Sequence, residues 1–160
     1  MTESLLCDAL IDHIKKVLSH NSTEDANGVC SQKKPHMYKA VLPPKRYKGR
    51  MEDFPLVCVT PATGTTENEE SQSVDVQIHI GVRSEAIDGY EYLFVALDTI
   101  RESLLAKPGQ TIEWEGMTFR MLFPFKWDLM QEEYPFWWLR ISTKWQLSTT
   151  KQVDDLDENF

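Results

Sequence analysis

Residues 74–83 read Val-Asp-Val-Gln-Ile-His-Ile-Gly-Val-Arg, a strict alternation of aliphatic and other residues. A period of two residues is typical of a strand with one buried and one solvated face. We therefore predict a strand whose aliphatic side chains enter the core, while His79 and Gly81 lie on the solvated face. A helical pattern opens directly after this strand, which frames a small mixed domain.

Two amphipathic helices are predicted around this strand. The first covers Ser4 to Leu18, where apolar residues recur at helical spacing. The second covers about residues 89–106, with Asp88 as N-cap and Glu91 as its capping-box partner. Residues 107–109, Lys-Pro-Gly, should end it.

Three further patterns lie on the N-terminal side of the strand at residues 74–83. Met37 to Leu42 predicts a short edge strand, which a Pro-Pro pair would stop. Phe54 to Pro61 predicts an apolar strand bounded by prolines. Ala62 to Ser73 is polar and is predicted to be a link, so that the strands on either side of it pair as a long-looped antiparallel hairpin.

The C-terminal half predicts more antiparallel strands. Thr111 to Trp114 and Thr118 to Phe123 flank a Glu-Gly turn and form a compact hairpin. After a turn at residues 132–135, a long alternating strand runs from Trp137 to Leu147. The predicted fold class is therefore α+β: a mainly antiparallel sheet with the N-terminal helix and the second helix packed on one face.

The chain has 160 residues and a net charge of −8, and the prediction is one domain over residues 1–150. Residues 21–53 form a long, basic loop region in this prediction, and residues 151–160 an acidic, flexible tail. The negative balance disfavours nonspecific binding of DNA by the whole surface. Charged residues interrupt the apolar N-terminal run, so we expect no signal peptide and no membrane segment.

The residues that usually carry catalysis are few and scattered. The three cysteines include no CxxC pair, and the four histidines show no metal-ligand spacing. GxGxxG, GxxxxGK[ST] and GxSxG motifs are absent. His79, with Asp75 nearby on the same face, is read as a solvated strand histidine. We therefore expect a protein that is not an enzyme and that has no cofactor and no metal site.

Charged segments and one tryptophan are candidates for contacts with partners. The basic run from Lys33 to Arg50 suits either an acidic partner or nucleic acid, or is simply a solvated loop. Trp137 and Trp138 are adjacent and must point to opposite faces, so we predict an exposed Trp138 on a partner surface, unless a helix or loop covers it. The predicted assembly contacts are Lys45, Arg46, Arg50, Glu67, Glu69, Glu70 and Trp138.

The order of these features resembles that of a known family, the tail terminator (tail completion) proteins of long-tailed phages and prophages of Gram-positive bacteria. The resemblance covers roughly Phe54 to Leu147 and the first helix. The stretches that carry it are Phe54-Pro55-Leu56-Val57, the strand Val74 to Val82, Asp88-Gly89-Tyr90 with Asp98-Thr99-Ile100-Arg101, and Tyr134-Pro135-Phe136-Trp137.

The resemblance implies a ring, typically of six copies, that caps the tail tube, stops its polymerisation and joins the tail to the head connector. The implied partners are other copies of this chain, the tail tube protein and the connector or stopper protein. DNA would pass through the ring without specific binding, which favours an acidic lining. The implied locations are the host cytoplasm during assembly and the tail or neck of the virion. The family has no catalytic residues.

Other readings stay open at this point. A head-completion or stopper protein of the same neck would differ only in what it contacts. Two other classes of function are possible. One is a cytoplasmic protein-interaction module unrelated to phages, and the other is an enzyme with a site around His79 and Asp75. Within the terminator reading, we hypothesise that residues 21–53 and 62–73 make the contacts between subunits or with the tube.

Overall fold

A computed structural model describes residues 2–21, 35–40, 54–68, 71–85, 90–130 and 134–147. Within these ranges, two helices pack on one face of a six-stranded sheet of order β1-β2-β3-β6-β5-β4, in which only β1 is parallel to its neighbour. The elements are α1 (Thr2–Asn21), β1 (His36–Lys39), β2 (Leu56–Asn68), β3 (Ser71–Arg83), α2 (Glu91–Ala106), a 3-10 turn (Pro108–Gln110), β4 (Thr111–Trp114), β5 (Met117–Met130) and β6 (Phe136–Gln146). The predicted α+β class is confirmed.

The main core lies between the two helices and the face of the sheet that they cover, here called the helix face. The alternation in β3 places Val76, Ile78 and Ile80 on this face, and all three are fully buried. The matching residues of β6, Leu139 and Ile141, stand directly opposite Ile80 and Ile78. Each fully buried aliphatic side chain of this kind stabilises the fold by about 1.5–3 kcal/mol.

Trp145 of β6 is the largest fully buried side chain of this core. Its indole Nε1 donates a hydrogen bond of 2.9 Å to Thr143 Oγ1, and that hydroxyl donates one of 2.9 Å to the Val76 carbonyl oxygen. The two bonds satisfy the buried polar groups of both side chains.

Both helices are present, but their bounds differ from the predicted ones. Helix α1 extends to Asn21 and therefore takes up the first residue of the predicted basic loop region. Helix α2 begins at Glu91, and its N-cap position, Tyr90, makes no side-chain capping hydrogen bond. The helix thus starts later than the predicted Asp88 cap, which itself lies outside the described residues. It ends before Lys107, as predicted.

The predicted polar link between the first two long strands is wrong. Strand β2 continues through Pro61 as far as Asn68, and β3 begins at Ser71, so most of residues 62–73 belong to the hairpin. Threonines at 60, 63, 65 and 66 favour a strand because they are β-branched. A register shift between Pro61 and Thr63 accommodates the proline within the hairpin. The predicted antiparallel pairing is confirmed.

Two other strands also differ in length from the prediction. The edge strand β1 is confirmed but spans only His36–Lys39, parallel to β2. Strand β5 does not stop at Phe123; it runs on to Met130 after a register shift between Leu122 and Lys126. The predicted β4–β5 hairpin is confirmed.

The face of the sheet opposite the helices, here called the outer face, carries a second apolar cluster. Phe54, Leu56 and Trp138 form its buried part, and Tyr38, Met130 and Phe136 pack against it. This cluster packs over the C-terminal part of β3, on the face that was predicted to be solvated. The prediction of a solvated His79 is therefore wrong, since only 8% of this residue is exposed.

Candidate assembly surfaces

The predicted assembly contacts are distributed unevenly over the described ranges. Lys45, Arg46, Arg50, Glu69 and Glu70 lie outside the described residues, as do most of the 21–53 region and the 151–160 tail. The other two predicted contacts lie within the described ranges. Glu67 is exposed near the tip of the β2–β3 hairpin, and Trp138 lies in β6.

Trp138 points away from the helix-face core, as predicted, but it is not exposed. Only 8% of its surface is accessible, so the prediction that its side chain is exposed is wrong. The Phe54 ring stands edge-on to the indole at a centroid distance of 5.8 Å. Gly81 lies directly opposite Trp138 on β3 and leaves room for the indole ring. Trp138 is thus a packing residue of the outer cluster.

A row of polar residues crosses the outer face beside this cluster. Cys58, His79, Arg140 and Asp128 are direct cross-strand partners on β2, β3, β6 and β5. Arg140 donates two hydrogen bonds to the Asp128 carboxylate, Nε to Oδ1 at 3.0 Å and a terminal nitrogen to Oδ2 at 2.9 Å. This bidentate pair joins β5 to β6 at the surface. Among the described residues, the buried His79 Nδ1 finds no hydrogen-bond partner.

The electrostatics of this row favour the neutral forms of His79 and Cys58. Burial lowers the pKa of His79, and the charge of Arg140 lowers it further. Burial also raises the pKa of the Cys58 thiol, and it raises that of Cys7 in α1 to about 11. These two thiols stay protonated at neutral pH, and a protonated thiol is a poor nucleophile.

We predict that the protein loses stability as pH falls from 7 to 5. Burial lowers the pKa of His79 and of His13, whose Nε2 bonds Ser103 Oγ at 2.8 Å between the helices. A lowered folded-state pKa favours the neutral imidazole in the folded protein, so this stability is present above the unfolded pKa of about 6.5 and is lost as pH falls through it. Urea unfolding at a series of pH values measures the effect.

The control for this prediction is His79→Leu, which keeps an apolar side chain at the site. Its stability should depend less steeply on pH between 7 and 5 than that of the wild type. An unchanged slope in this variant would show that His79 does not contribute.

An exposed aromatic patch lies where α2 meets the second half of β5. We define it as Tyr90, Phe94, Trp127 and Leu129. Trp127 and Leu129 are each 44% exposed. The Phe94 and Trp127 rings meet edge to face at a centroid distance of 5.3 Å, and Tyr90 stands 6.0 Å from Phe94. Such neighbouring exposed rings are typical of surfaces that bind another protein.

The backbone next to the aromatic patch is also available for pairing. Strand β4 pairs with β5 only at Met117–Arg120, and β6 pairs with the other side of β5. Within the described ranges, β5 therefore has no strand neighbour on its outer edge from Met121 to Met130. Such an edge presents unpaired N–H and C=O groups that another strand can bind.

Sequence reasoning did not find this patch, although one signal was present. Phe125, Trp127 and Leu129 alternate with polar or charged residues, which indicates a strand with one apolar face. Their neighbours Tyr90 and Phe94 come from a helix far away in the sequence, so only the fold brings the patch together.

The described ranges contain no group of three or more histidine, cysteine, aspartate or glutamate side chains that could hold a metal ion. Neither of the two helices they contain is both long enough and apolar enough to cross a membrane.

Comparisons with known proteins give structural neighbours only. No protein family and no curated protein matches the sequence. One solved structure, titled only with a sequence identifier, has a TM-score of 0.49 at 12% identity and covers 88% of this chain and 94% of its own. Another, titled "Virion of native gene transfer agent (GTA) particle", has a TM-score of 0.42 at 9% identity and covers 82% of this chain and 91% of its own. Function is therefore argued from this chain's own residues.

Proposed function

We propose that this protein is a structural subunit of a phage-type virion. In the finer form of the proposal, six copies form a ring that caps the tail tube, stops its polymerisation and joins the tail to the head connector. The partners are other copies of the chain, the tail tube protein and the connector or stopper protein. The protein has no catalytic role in this proposal and acts in the host cytoplasm during assembly and then in the virion.

The observation that carries the proposal is the aromatic patch beside the part of the β5 edge that has no strand neighbour among the described residues. Trp127 and Leu129 expose large apolar surfaces next to this edge. A monomer gains nothing from this combination, because exposed apolar edges invite aggregation. A subunit of a closed assembly does gain, because its neighbours cover the edge. The sequence resemblance to tail terminators supplies the kind of assembly.

The charge distribution agrees with a channel through which DNA slides. The chain carries a net charge of −8, and Glu67 is exposed at the hairpin tip. A negative wall repels phosphates and so prevents DNA from sticking. In the proposal, Glu67, Glu69 and Glu70 face either the channel or a neighbouring subunit, and Lys45, Arg46 and Arg50 contact an acidic partner.

Deleting the gene in its phage or prophage tests the function directly. Negative-stain electron microscopy of the lysate should show filled heads beside separate tails of abnormal or uncontrolled length. Free tails of normal length beside leaking heads would assign the protein to the stopper position instead. Intact, normal virions would refute a role in the neck altogether.

Complementing this deletion tests whether the aromatic patch is used. We predict that Trp127→Ser combined with Leu129→Ser folds but fails to restore virions, because it removes the apolar surface that a partner would cover. Plaque counts and circular dichroism measure the two effects. The control is Leu105→Ser, which changes another exposed leucine (41%) about three helical turns beyond Phe94 on α2. Equal plaque counts for the patch variant and the control would contradict the use of the patch.

A further inference from the structure

We infer that the aromatic patch and the acidic residues of α2 beside it form one surface, which binds a segment of another protein in which arginines flank apolar side chains. The inference deepens the proposed function, on which it rests for the place of that partner in the virion. It adds the chemistry that the partner must have.

The rings of the patch are exposed but are held in place by the core. Tyr90 and Trp127 are 40% and 44% exposed. Phe94 lies between them, at ring-centroid distances of 6.0 Å from Tyr90 and 5.3 Å from Trp127, and it packs against the main core. Tyr90 also stands 6.2 Å from Trp137, whose Nε1 donates a hydrogen bond of 3.0 Å to the Ser84 carbonyl oxygen. Rings that are already fixed lose little conformational entropy when a partner covers them.

Carboxylates continue the patch along α2. Asp98 follows Phe94 by four residues and Glu102 follows Asp98 by four, so both lie on the same side of the helix as the patch. Glu91 is next to Tyr90, in the first turn of the helix. All three acidic residues are exposed. We call these three residues and the aromatic patch together the acidic aromatic surface.

Arg101 and Lys126 are the basic residues that α2 and the second half of β5 contribute here, and neither neutralises this surface. Arg101 forms an ion pair with Asp98, which offsets one of the three carboxylates. Lys126 precedes Trp127 in β5 and therefore points to the opposite, outer face. The acidic aromatic surface thus has a negative balance.

Arginine is the side chain that suits both parts of this surface. Its planar guanidinium stacks on aromatic rings and pairs with a carboxylate through two hydrogen bonds, and it is more weakly hydrated than the ammonium group of lysine. Apolar neighbours of the arginine would cover Trp127 and Leu129. An acidic segment or a phosphate backbone would be repelled. The chemistry therefore favours a basic, partly apolar protein segment.

The spacing of the carboxylates sets the spacing of the arginines. Glu91 and Asp98 are seven residues apart in α2, which is about 10 Å along the helix axis. In an extended segment, residues three positions apart are also separated by about 10 Å. Two arginines that flank a pair of apolar residues therefore match Glu91 and Asp98, and the apolar pair then lies over Phe94 and Trp127.

A peptide titration of the full chain tests this surface. The probe is a short, flexible peptide in which two arginines flank a leucine and a phenylalanine, and a second probe carries citrulline, a neutral side chain of the same shape, in place of both arginines. NMR follows the indole N–H signal of Trp127, with that of buried Trp145 as the internal reference. The arginine peptide should shift the Trp127 signal with a dissociation constant between about 10 µM and about 1 mM. The citrulline peptide should bind at least about tenfold more weakly, because it loses two cation–π contacts and two ion pairs.

Two variants of equal net charge separate the local effect from that of the overall charge. Glu91→Gln combined with Asp98→Asn should weaken binding of the arginine peptide about threefold or more and leave that of the citrulline peptide unchanged. Glu113→Gln combined with Glu115→Gln removes the same charge from exposed positions of the β4–β5 hairpin. That hairpin lies roughly 25 Å from Trp127 along β5, so this control should bind both peptides like the wild type.

Several results would overturn the inference. These are an arginine peptide that leaves the Trp127 signal unchanged at about 1 mM, a citrulline peptide that binds equally well, or a hairpin variant that loses as much binding as the α2 variant. A Trp127 signal that shifts with protein concentration alone would show instead that a second copy occupies the patch.

These measurements need no phage, so the two proposals can fail separately. Normal virions after gene deletion, together with the expected peptide results, would refute the proposed function and leave the acidic aromatic surface standing. Tails of abnormal length together with no peptide binding would refute the inference alone.

Discussion

Replacing Trp138 by alanine should lower the free energy of unfolding by about 3–5 kcal/mol, the usual cost of truncating a buried tryptophan. The indole is 8% exposed and is held by Phe54 and by the Gly81 backbone below it. Domains of this kind have a total stability of about 5–15 kcal/mol, so this loss would be a large fraction of it. Urea unfolding followed by circular dichroism measures the change.

A matched pair of phenylalanine substitutions separates packing from hydrogen bonding. Trp138→Phe removes an indole N–H that has no acceptor within the described part of the chain, whereas Trp145→Phe removes one that donates to Thr143 Oγ1 at 2.9 Å. Both leave the same smaller ring, so the Trp145 variant should lose about 1 kcal/mol more. If Trp138→Ala unfolds within about 1 kcal/mol of the wild type, the side chain is not packed in the outer cluster and is exposed, as the sequence predicted.

The strands whose alternation is strict were the most predictable part of the fold. In β3 and β6, alternate apolar side chains fill the helix face. With a period of two residues, all of them can be buried only if they share one face of the sheet. The sheet class and the two helices follow from such local patterns. The lengths of β2 and β5 do not, because Pro61 and Pro124 resemble strand ends when only neighbouring residues are considered.

The burial of the outer face could not be predicted from local alternation. A period of two residues shows that His79 and Gly81 lie on the same face of the strand. It does not show whether other residues cover that face. The cover comes from Phe54, Met130 and Phe136, which are distant in the sequence. The adjacent pair Trp137 and Trp138 was the one available signal. It correctly indicated a second apolar face, but it did not show which residues pack against that face.

The candidate site was less predictable than the fold for the same reason. The predicted contacts were selected by charge, and five of the seven lie outside the described residues. The aromatic patch depends on the register of β5 against β6, which places Trp127 opposite Ile141 and so on the helix face next to Phe94. A register shift between Leu122 and Lys126 sets this placement, and register shifts of this kind have no clear sequence signature here.

The second large effect is expected at Gly81. Gly81→Ala should lower the free energy of unfolding by about 1–3 kcal/mol, as overpacked core substitutions do. A Cβ atom at this position would lie 2.8 Å from Cζ3 and 2.9 Å from Cη2 of Trp138, closer than real contacts allow. The ring cannot easily withdraw, because Phe54 stands edge-on to it. Urea unfolding measures the loss.

Two further variants show whether Trp138 is the cause of this loss. In a Trp138→Leu background, Gly81→Ala should cost less than in the wild type by about 0.5–3 kcal/mol, the usual coupling between residues in contact. Gly64→Ala is the matched control in the partner strand β2, where the nearest atom to a new Cβ would be the Ser73 carbonyl oxygen at an ordinary 3.6 Å. That variant should be neutral or up to about 1 kcal/mol more stable, because alanine loses less backbone entropy on folding than glycine. A Gly81→Ala loss that persists undiminished without Trp138 would mean that the outer cluster is not packed around this glycine.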